Sequence, residues 1–362
     1  MLEIRMKPIR TQTPPNRVAI LQVGTVRDCL LTIPLAVDIR CSWPNAVVCW
    51  VAESPVTEIL ESHACIDSVI CLEPGWMRRP KEWKRLRTMF RQLEIDCTFD
   101  PLGLNKSALL SLMAGARMRV GFSRPKGREL SPWLATHRVH SRHHHRIDTI
   151  RELMSPWFEV RSGEANFSMP VFPEALQRVK PLLHDRGFSE GSRWCVIHPG
   201  AIWPTARWPV EKFARLTDLV YQQHGLRSII TWSDEEERLL SKVIQENSQG
   251  SAVVAPRLSI TENLELLRCA QLLVCGDCLP LQLASSIGVP CVSLHGPTWA
   301  DEFGAYGEFH LAVQSPSPLL SRKMSRRGPN LAMHAIEVEE VLHSIARVLC
   351  RHRDRAIHPA AA

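Results

Sequence analysis

Arg17-Val-Ala-Ile-Leu-Gln-Val-Gly24 is an almost wholly apolar run, and residues 29–40 behind it carry a longer helical stretch. A short apolar run followed by a helix is the start of a βαβ unit. Working outward, residues 46–51, 68–72 and 97–101 predict further strands, with helices over 54–62 and 85–92 between them. The same signature restarts at Trp194-Cys-Val-Ile-His-Pro-Gly200. It is followed by a helix over 210–224, strands at 227–232, 252–254 and 271–275, and helices over 234–245 and 261–270. Alternation of this kind predicts an α/β protein with two Rossmann-like parallel sheets in tandem, split near residues 160–190. The expected domains are 1–175 and 190–334. A closing helix over 335–351 is expected to pack back on the first of them.

Composition narrows the classes. The chain has 362 residues, 45% of them hydrophobic and 22% charged, which suits two folded domains and excludes a disordered or collagen-like chain. A net charge of +7 allows an anionic substrate or membrane surface without demanding nucleic acid. The twelve cysteines are scattered singly through apolar runs, where a thiol behaves as a small hydrophobe. With no signal peptide in the reading, a cytoplasmic protein is expected. Residues 278–300 carry no formal charge, but Pro280, Gly288, Pro290, Gly296 and Pro297 divide them into strand and helix rather than a membrane span.

Ligands of such sheets sit at the carboxyl ends of strands. The stretches that follow predicted strands are 24–28, 100–107, 198–207, 232–237, 276–282 and 295–299, so a cleft between the two domains is expected to hold the site. Cys275-Gly-Asp-Cys278 has redox or metal spacing but no second pair, and it falls on a strand-to-helix turn. His143-His-His145 sits among Arg138, Arg142, Arg146 and Arg151, which repel a cation. No GxGxxG follows the first strand, and Gly103-Leu-Asn-Lys-Ser107 lacks the glycine spacing of a phosphate loop. Asp28 reads equally as a helix cap and as a base at the mouth of the cleft. Residues 76–91 hold seven basic side chains against Glu82, interleaved with Trp76, Trp83 and Phe90. That pattern fits either phosphates and an anionic bilayer or a solvated helix face.

Taken together, these stretches resemble the heptosyltransferases of glycosyltransferase family 9, over residues 18–348. Gly24-Thr-Val-Arg-Asp-Cys-Leu-Leu-Thr-Ile-Pro34 is similar to the family's opening motif, and Asp100-Pro-Leu-Gly-Leu-Asn-Lys-Ser107 to its Asp-x-x-Gly-Leu-x-Lys-Ser segment. Gly121-Phe122 with Arg128-Glu129 resembles the acceptor-side loop. His198-Pro-Gly-Ala201, Arg207-Trp-Pro209 and His295-Gly-Pro-Thr298 resemble donor-domain turns. The resemblance implies a GT-B fold of two Rossmann-like domains facing each other across a cleft. It also implies inverting, metal-independent transfer without a cofactor, and Asp28 as the base that deprotonates the acceptor. A nucleotide-sugar, ADP-heptose by family, would meet His198, Thr205, Arg207, Glu235, Asp277, Cys278, Gln282, Gly296, Pro297 and Thr298. A lipid-linked anionic glycan would meet Lys106, Arg128, Arg78, Arg79, Lys84 and Arg85, with the protein a monomer touching the inner face of the membrane.

The departures from the family cluster on the donor side. Ala206 stands where the family has Lys, Leu279 where it has Gly, and Gln282 where it has His. Pro280 removes an N–H from a helix start, and Arg27 replaces a Gly beside Asp28. The competing expectation is a non-catalytic glycan- or nucleotide-binding relative.

Overall fold

A computed structural model describes residues 7–8, 13–53, 56–73, 75–188, 191–201, 203–317 and 330–357. The chain divides into two compact units, Met1–Pro170 and Val171–Ala362.

The first unit is built on a six-stranded sheet of β1 (Arg17–Gln22), β2 (Val47–Glu53), β3 (Ser68–Leu72), β4 (Cys97–Phe99), β5 (Met118–Phe122) and β6 (His137–Val139). The strands lie in the order β3-β2-β1-β4-β5-β6, and every pairing is parallel. Five of the six residues of β1 are buried because both faces of a parallel sheet are covered, which is why its sequence is continuously apolar. The strand order reverses between β1 and β4, so the chain leaves the sheet in opposite directions there and opens a crevice at their carboxyl ends.

Helices α1 (Val26–Ser42), α2 (Pro80–Leu93), α3 (Asn105–Met113) and α4 (Arg146–Arg151) cover this sheet. Helix α2 starts at Pro80, where the missing N–H costs nothing, five residues before the expected start. It buries Leu86 and Phe90 against β1–β3 and leaves its basic stripe outward. The expected helix over 54–62 is a short turn, Thr57–Glu61, and residues 54 and 55 lie outside the described residues. Helix α1 meets α4 through a buried ion pair: Arg151 Nε donates to Asp38 Oδ2 at 2.7 Å, and Arg151 Nη1 reaches Asp148 Oδ1 at 3.3 Å.

The second unit repeats the plan. Its strands are β7 (Trp194–His198), β8 (Arg227–Ile230), β9 (Ala252–Val254), β10 (Leu273–Gly276), β11 (Cys291–His295) and β12 (Leu311–Gln314). Their order, β9-β8-β7-β10-β11-β12, is again parallel throughout with the reversal between β7 and β10. Helix α5 (Pro173–His184) falls within the stretch where the split was expected, residues 160–190, and it belongs to this unit. Helices α6 (Val210–His224), α7 (Glu235–Asn247), α8 (Ile260–Cys269), α9 (Leu279–Ser286) and α10 (Val338–Ile357) complete it.

Helix α10 belongs to the second unit. It begins at Val338, after a separate turn at Leu331–His334, and Val338, Val341, Leu342, Ile345, Val348 and Leu349 are buried in the second unit's own core. Its apolar face lies there beside α6, β11 and β12. Residues 278–300 are a helix and a strand, as their prolines and glycines divide them, and no helix among the described residues is long and apolar enough to cross a membrane.

Candidate functional site

The first unit's crevice is organised by Asp28. It occupies the third position of α1, where Thr25 caps the helix by accepting from the Asp28 N–H at 3.2 Å. Asp28 Oδ2 accepts in return from the Thr25 N–H at 3.0 Å and the Thr25 hydroxyl at 2.7 Å. This box anchors the carboxylate, and Oδ1 accepts no hydrogen bond from the described residues. Gly24 permits the close turn: a Cβ there would lie 2.8 Å from Asp28 Oδ2 and 2.9 Å from Gln22 Oε1. Buried Gln22 fastens the far side by donating to Asp28 O at 3.2 Å and Thr32 Oγ1 at 2.7 Å. The carboxylate is therefore half-buried and fixed in orientation, with one oxygen open.

Lys106 enters the same crevice from the start of α3. Its ammonium donates to Val23 O and to Glu53 Oε1, the latter at 3.2 Å, which ties together the ends of β1, β2 and β4. Glu53 Oε1 also accepts from Trp76 Nε1 at 3.1 Å, so the turn before α2 is held by the same oxygen. Asp100 builds the loop that carries Lys106. Its Oδ1 accepts from the Leu102 and Gly103 N–H groups at 3.1 and 2.9 Å, while burial pushes its carboxyl up and these bonds oppose the shift. Arg128 is exposed, and its backbone N–H donates to Gly103 O at 2.9 Å.

Of the basic residues singled out in the sequence, Arg79 is paired with Glu73, and Arg85 with Glu82 at 2.9 Å. Arg78 and Lys84 are exposed and have no partner among the described residues, as is true of Lys81, Arg87 and Arg91. Trp76 is buried with Trp83 against it at 5.4 Å between ring centres, so the aromatic residues brace the helix rather than join the charged stripe.

In the second unit, His198 ends β7 and is buried, with Nδ1 3.1 Å from Thr231 Oγ1 and Nε2 3.5 Å from Glu237 Oε2. Burial pushes its imidazole pKa down and the Glu237 carboxylate opposes that shift. Gly200 must lack a side chain, because a Cβ would meet Glu237 Oε1 at 2.0 Å. Glu235 lies outside this arrangement: it is exposed and paired with Arg238 on its own helix. Glu237, Thr231 and Glu53 were missed in the sequence. For Glu237 the signal was present, because Asp234 caps α7 and accepts from the N–H three residues on, at 2.9 Å.

Thr205 and Ala206 lie in the 3-10 turn Pro204–Ala206, and Ala206 is buried. Arg207 directs both terminal nitrogens to Glu236 and its backbone carbonyl to Asn330 Nδ2 at 2.7 Å. Asp277 and Cys278 are buried at the turn into α9, and Pro280 stands at its start. Gln282 is buried, donating from Nε2 to Phe303 O at 3.0 Å, while its Oε1 has no partner among the described residues. Thr298 Oγ1 is 3.2 Å from His295 Nδ1, and a Cβ on Gly296 would meet Met333 Sδ at 2.5 Å. His198, Arg207, Asp277, Gln282 and Thr298 thus all follow strands of one sheet at their carboxyl ends. All twelve cysteines are free, and no group of three or more His, Cys, Asp or Glu among the described residues is placed to hold a metal ion.

Two doubly wound halves in one chain, each with polar loops at the strand reversal, define the GT-B class of glycosyltransferase fold. Among solved structures, the family 9 glycosyltransferase of Veillonella parvula matches with a TM-score of 0.77 at 16% identity, over 93% of this chain and 97% of its own. The E. coli heptosyltransferase WaaC with ADP matches at 0.73 and 20% identity, over 92% and 99%. Lipopolysaccharide heptosyltransferase 1 of Salmonella typhimurium is 27% identical over 323 residues, 84% of this chain and 96% of that protein. Its counterpart from Pseudomonas aeruginosa is 25% identical over 311 residues, 83% and 84%. The pattern of glycosyltransferase family 9 (heptosyltransferase) matches residues 83–328, and the chain belongs to that family.

Proposed function

We propose that this glycosyltransferase moves a heptose, or a closely related sugar, from a nucleoside diphosphate to a lipid-linked glycan of the lipopolysaccharide core, with inversion and without a metal. Asp28 carries the reading: a carboxylate held by its helix cap, with Oδ1 open, at the strand reversal of the first sheet. Asp28 takes the proton of the acceptor hydroxyl as that oxygen bonds to the anomeric carbon, and the bond to the diphosphate breaks on the opposite face. The diphosphate leaves toward Arg207 and the N–H groups of the donor turns, whose positive ends stabilise the developing charge.

ADP-heptose is the proposed donor, since WaaC of the same fold is solved with ADP and with an ADP-2-deoxy-2-fluoro heptose. The proposed place of work is the cytoplasmic face of the inner membrane, with the unpaired cations Arg78, Lys81, Lys84, Arg87 and Arg91 toward anionic headgroups. Lys106, tied down internally, would position the acceptor loop and offer it one remaining N–H.

Calorimetric titration with ADP and ADP-sugars, followed by a transfer assay, tests this. Asp28→Asn keeps the cap and removes the base, so transfer should fall by about two to four orders of magnitude with ADP affinity unchanged. The rival reading, a binding module, draws on the buried Ala206, Pro280 and Gln282 of the donor turns. ADP-sugar binding with no transfer by the wild-type chain would decide for it.

A further inference from the structure

Among the described residues, Trp133 is the most exposed large hydrophobic residue, at 69%, and Leu130 on the same turn is 61% exposed. They crown the connection between β5 and β6, whose residues 123–136 hold Arg124, Lys126 and Arg128 against a single acid, Glu129, with Arg138 following on β6. The Arg138 guanidinium lies over the Trp133 ring, 5.5 Å from its centre. Glu129, itself exposed, accepts from the Asn105 N–H at 3.4 Å.

The turn is built, not slack. Leu130 N–H donates to Asn105 Oδ1 at 3.0 Å, Arg128 N–H to Gly103 O at 2.9 Å, and buried Ser131 reaches Asp100 Oδ2 at 3.3 Å. A Cβ on Gly103 would lie 2.9 Å from Lys126 O, so the two loops are in direct contact. The chain thus holds two large apolar side chains in water beside exposed guanidinium groups, on a turn bonded to the loop that carries Lys106. Isolated exposed hydrophobes are ordinary, but an adjacent pair on a fixed turn amid cations is the composition of a membrane-interface anchor.

We propose that Leu130 and Trp133 form a wedge that enters the interfacial zone of an anionic phospholipid bilayer, with Arg124, Arg128 and Arg138 on headgroup phosphates. This rests on the reading that the acceptor is lipid-linked, and it differs from the charged stripe on α2 in depending on apolar insertion. The charge around the pair selects a lipid surface over a protein partner.

The test is co-sedimentation of the full chain with phosphatidylcholine vesicles, with and without phosphatidylglycerol, at low and high salt. Leu130→Ser/Trp133→Ser should lower partitioning onto the anionic vesicles by about tenfold or more, with an unchanged melting temperature because neither side chain is buried. Trp133→Phe should restore most of the binding. Arg78→Gln/Lys84→Gln should weaken binding mainly at low salt. If wild type and the double-serine variant partition equally while the α2 variant does not bind, the wedge is wrong and the membrane reading stands. If the wild-type chain binds neither vesicle, both fail. If sedimentation velocity without lipid shows wild-type self-association that the double-serine variant abolishes, with vesicle binding unaltered, the surface is a protein contact and the proposal is overturned.

Discussion

Arg207 places its two terminal nitrogens on the two carboxylate oxygens of Glu236, at 2.5 and 3.1 Å. The planar fork that would grip a diphosphate is therefore already engaged, and the pairing raises the Arg207 pKa further. Glu236 is 64% exposed, so water screens the pair and its net contribution to stability is small.

Glu236→Gln frees the fork and should consequently tighten ADP binding by up to about fivefold. Arg207→Ala should weaken both ADP binding and transfer, and Ala206→Lys added to it should restore part of each. Calorimetry on the three variants checks this. Unchanged ADP affinity in both Glu236→Gln and Arg207→Ala would leave Arg207 a brace for the turn before α6.

The Lys106–Glu53 contact at 3.2 Å joins three loops through one ammonium. Denaturant unfolding of Glu53→Gln, Lys106→Met and the double variant should give a coupling energy of about 1 kcal/mol, as expected for a partly buried charged pair. Additive losses would mean that Lys106 answers to solvent rather than to Glu53.

Arg151 is 1% exposed and faces Asp38 and Asp148, both equally hidden. Arg151→Met leaves two carboxylates uncompensated and should destabilise the first unit by about 3–5 kcal/mol. Adding Asp38→Asn should recover a large part of that loss. Equal stability of wild type and Arg151→Met in urea would contradict the buried pairing.

His295 is fully buried between Ser293 Oγ and Thr298 Oγ1, and burial pushes its pKa down to about 4 from the ordinary 6.5. Between pH 6.5 and 4 the unfolded chain binds a proton that the folded chain refuses. Stability is therefore full above that window and falls as pH drops through it, by at most about 3 kcal/mol. Asp38, pushed up to about 6 by burial, acts in the opposite sense: its contribution is present below pH 3.8 and lost as pH rises through 6. Comparing His295→Asn with wild type isolates the histidine: relative to the variant, wild type should lose melting temperature as pH falls from 6.5 to 4. Parallel curves for the two proteins would refute the assignment.

Much of this molecule was legible along the chain, because its signals are local. Continuous apolar runs mark strands buried on both faces, and the alternation of β1 with α1 and of β7 with α6 follows from periodicity alone. The caps are equally local: Thr25 with Asp28, and Ser259 with Glu262, are three residues apart. Asp28 could thus be placed at a strand end and a helix start from sequence, and the structure shows it as a cap that uses one oxygen and leaves the other.

What only the tertiary structure decided is which of several chemically equal neighbours faces inward. Four consecutive acids, residues 234–237, look alike in sequence, yet α7 turns Glu237 toward His198, leaves Glu235 on the surface and sets Glu236 against Arg207. The short strand β6 exists because its neighbour completes its ladder, and α10 joins the second core because that core exposes a matching apolar face. Hydrogen-bonding and burial partners separated by 29 residues (Arg207 and Glu236) or 113 (Arg151 and Asp38) leave no periodic trace in the chain. Local propensity therefore determines where elements begin, while long-range packing determines what each polar side chain at their ends can do.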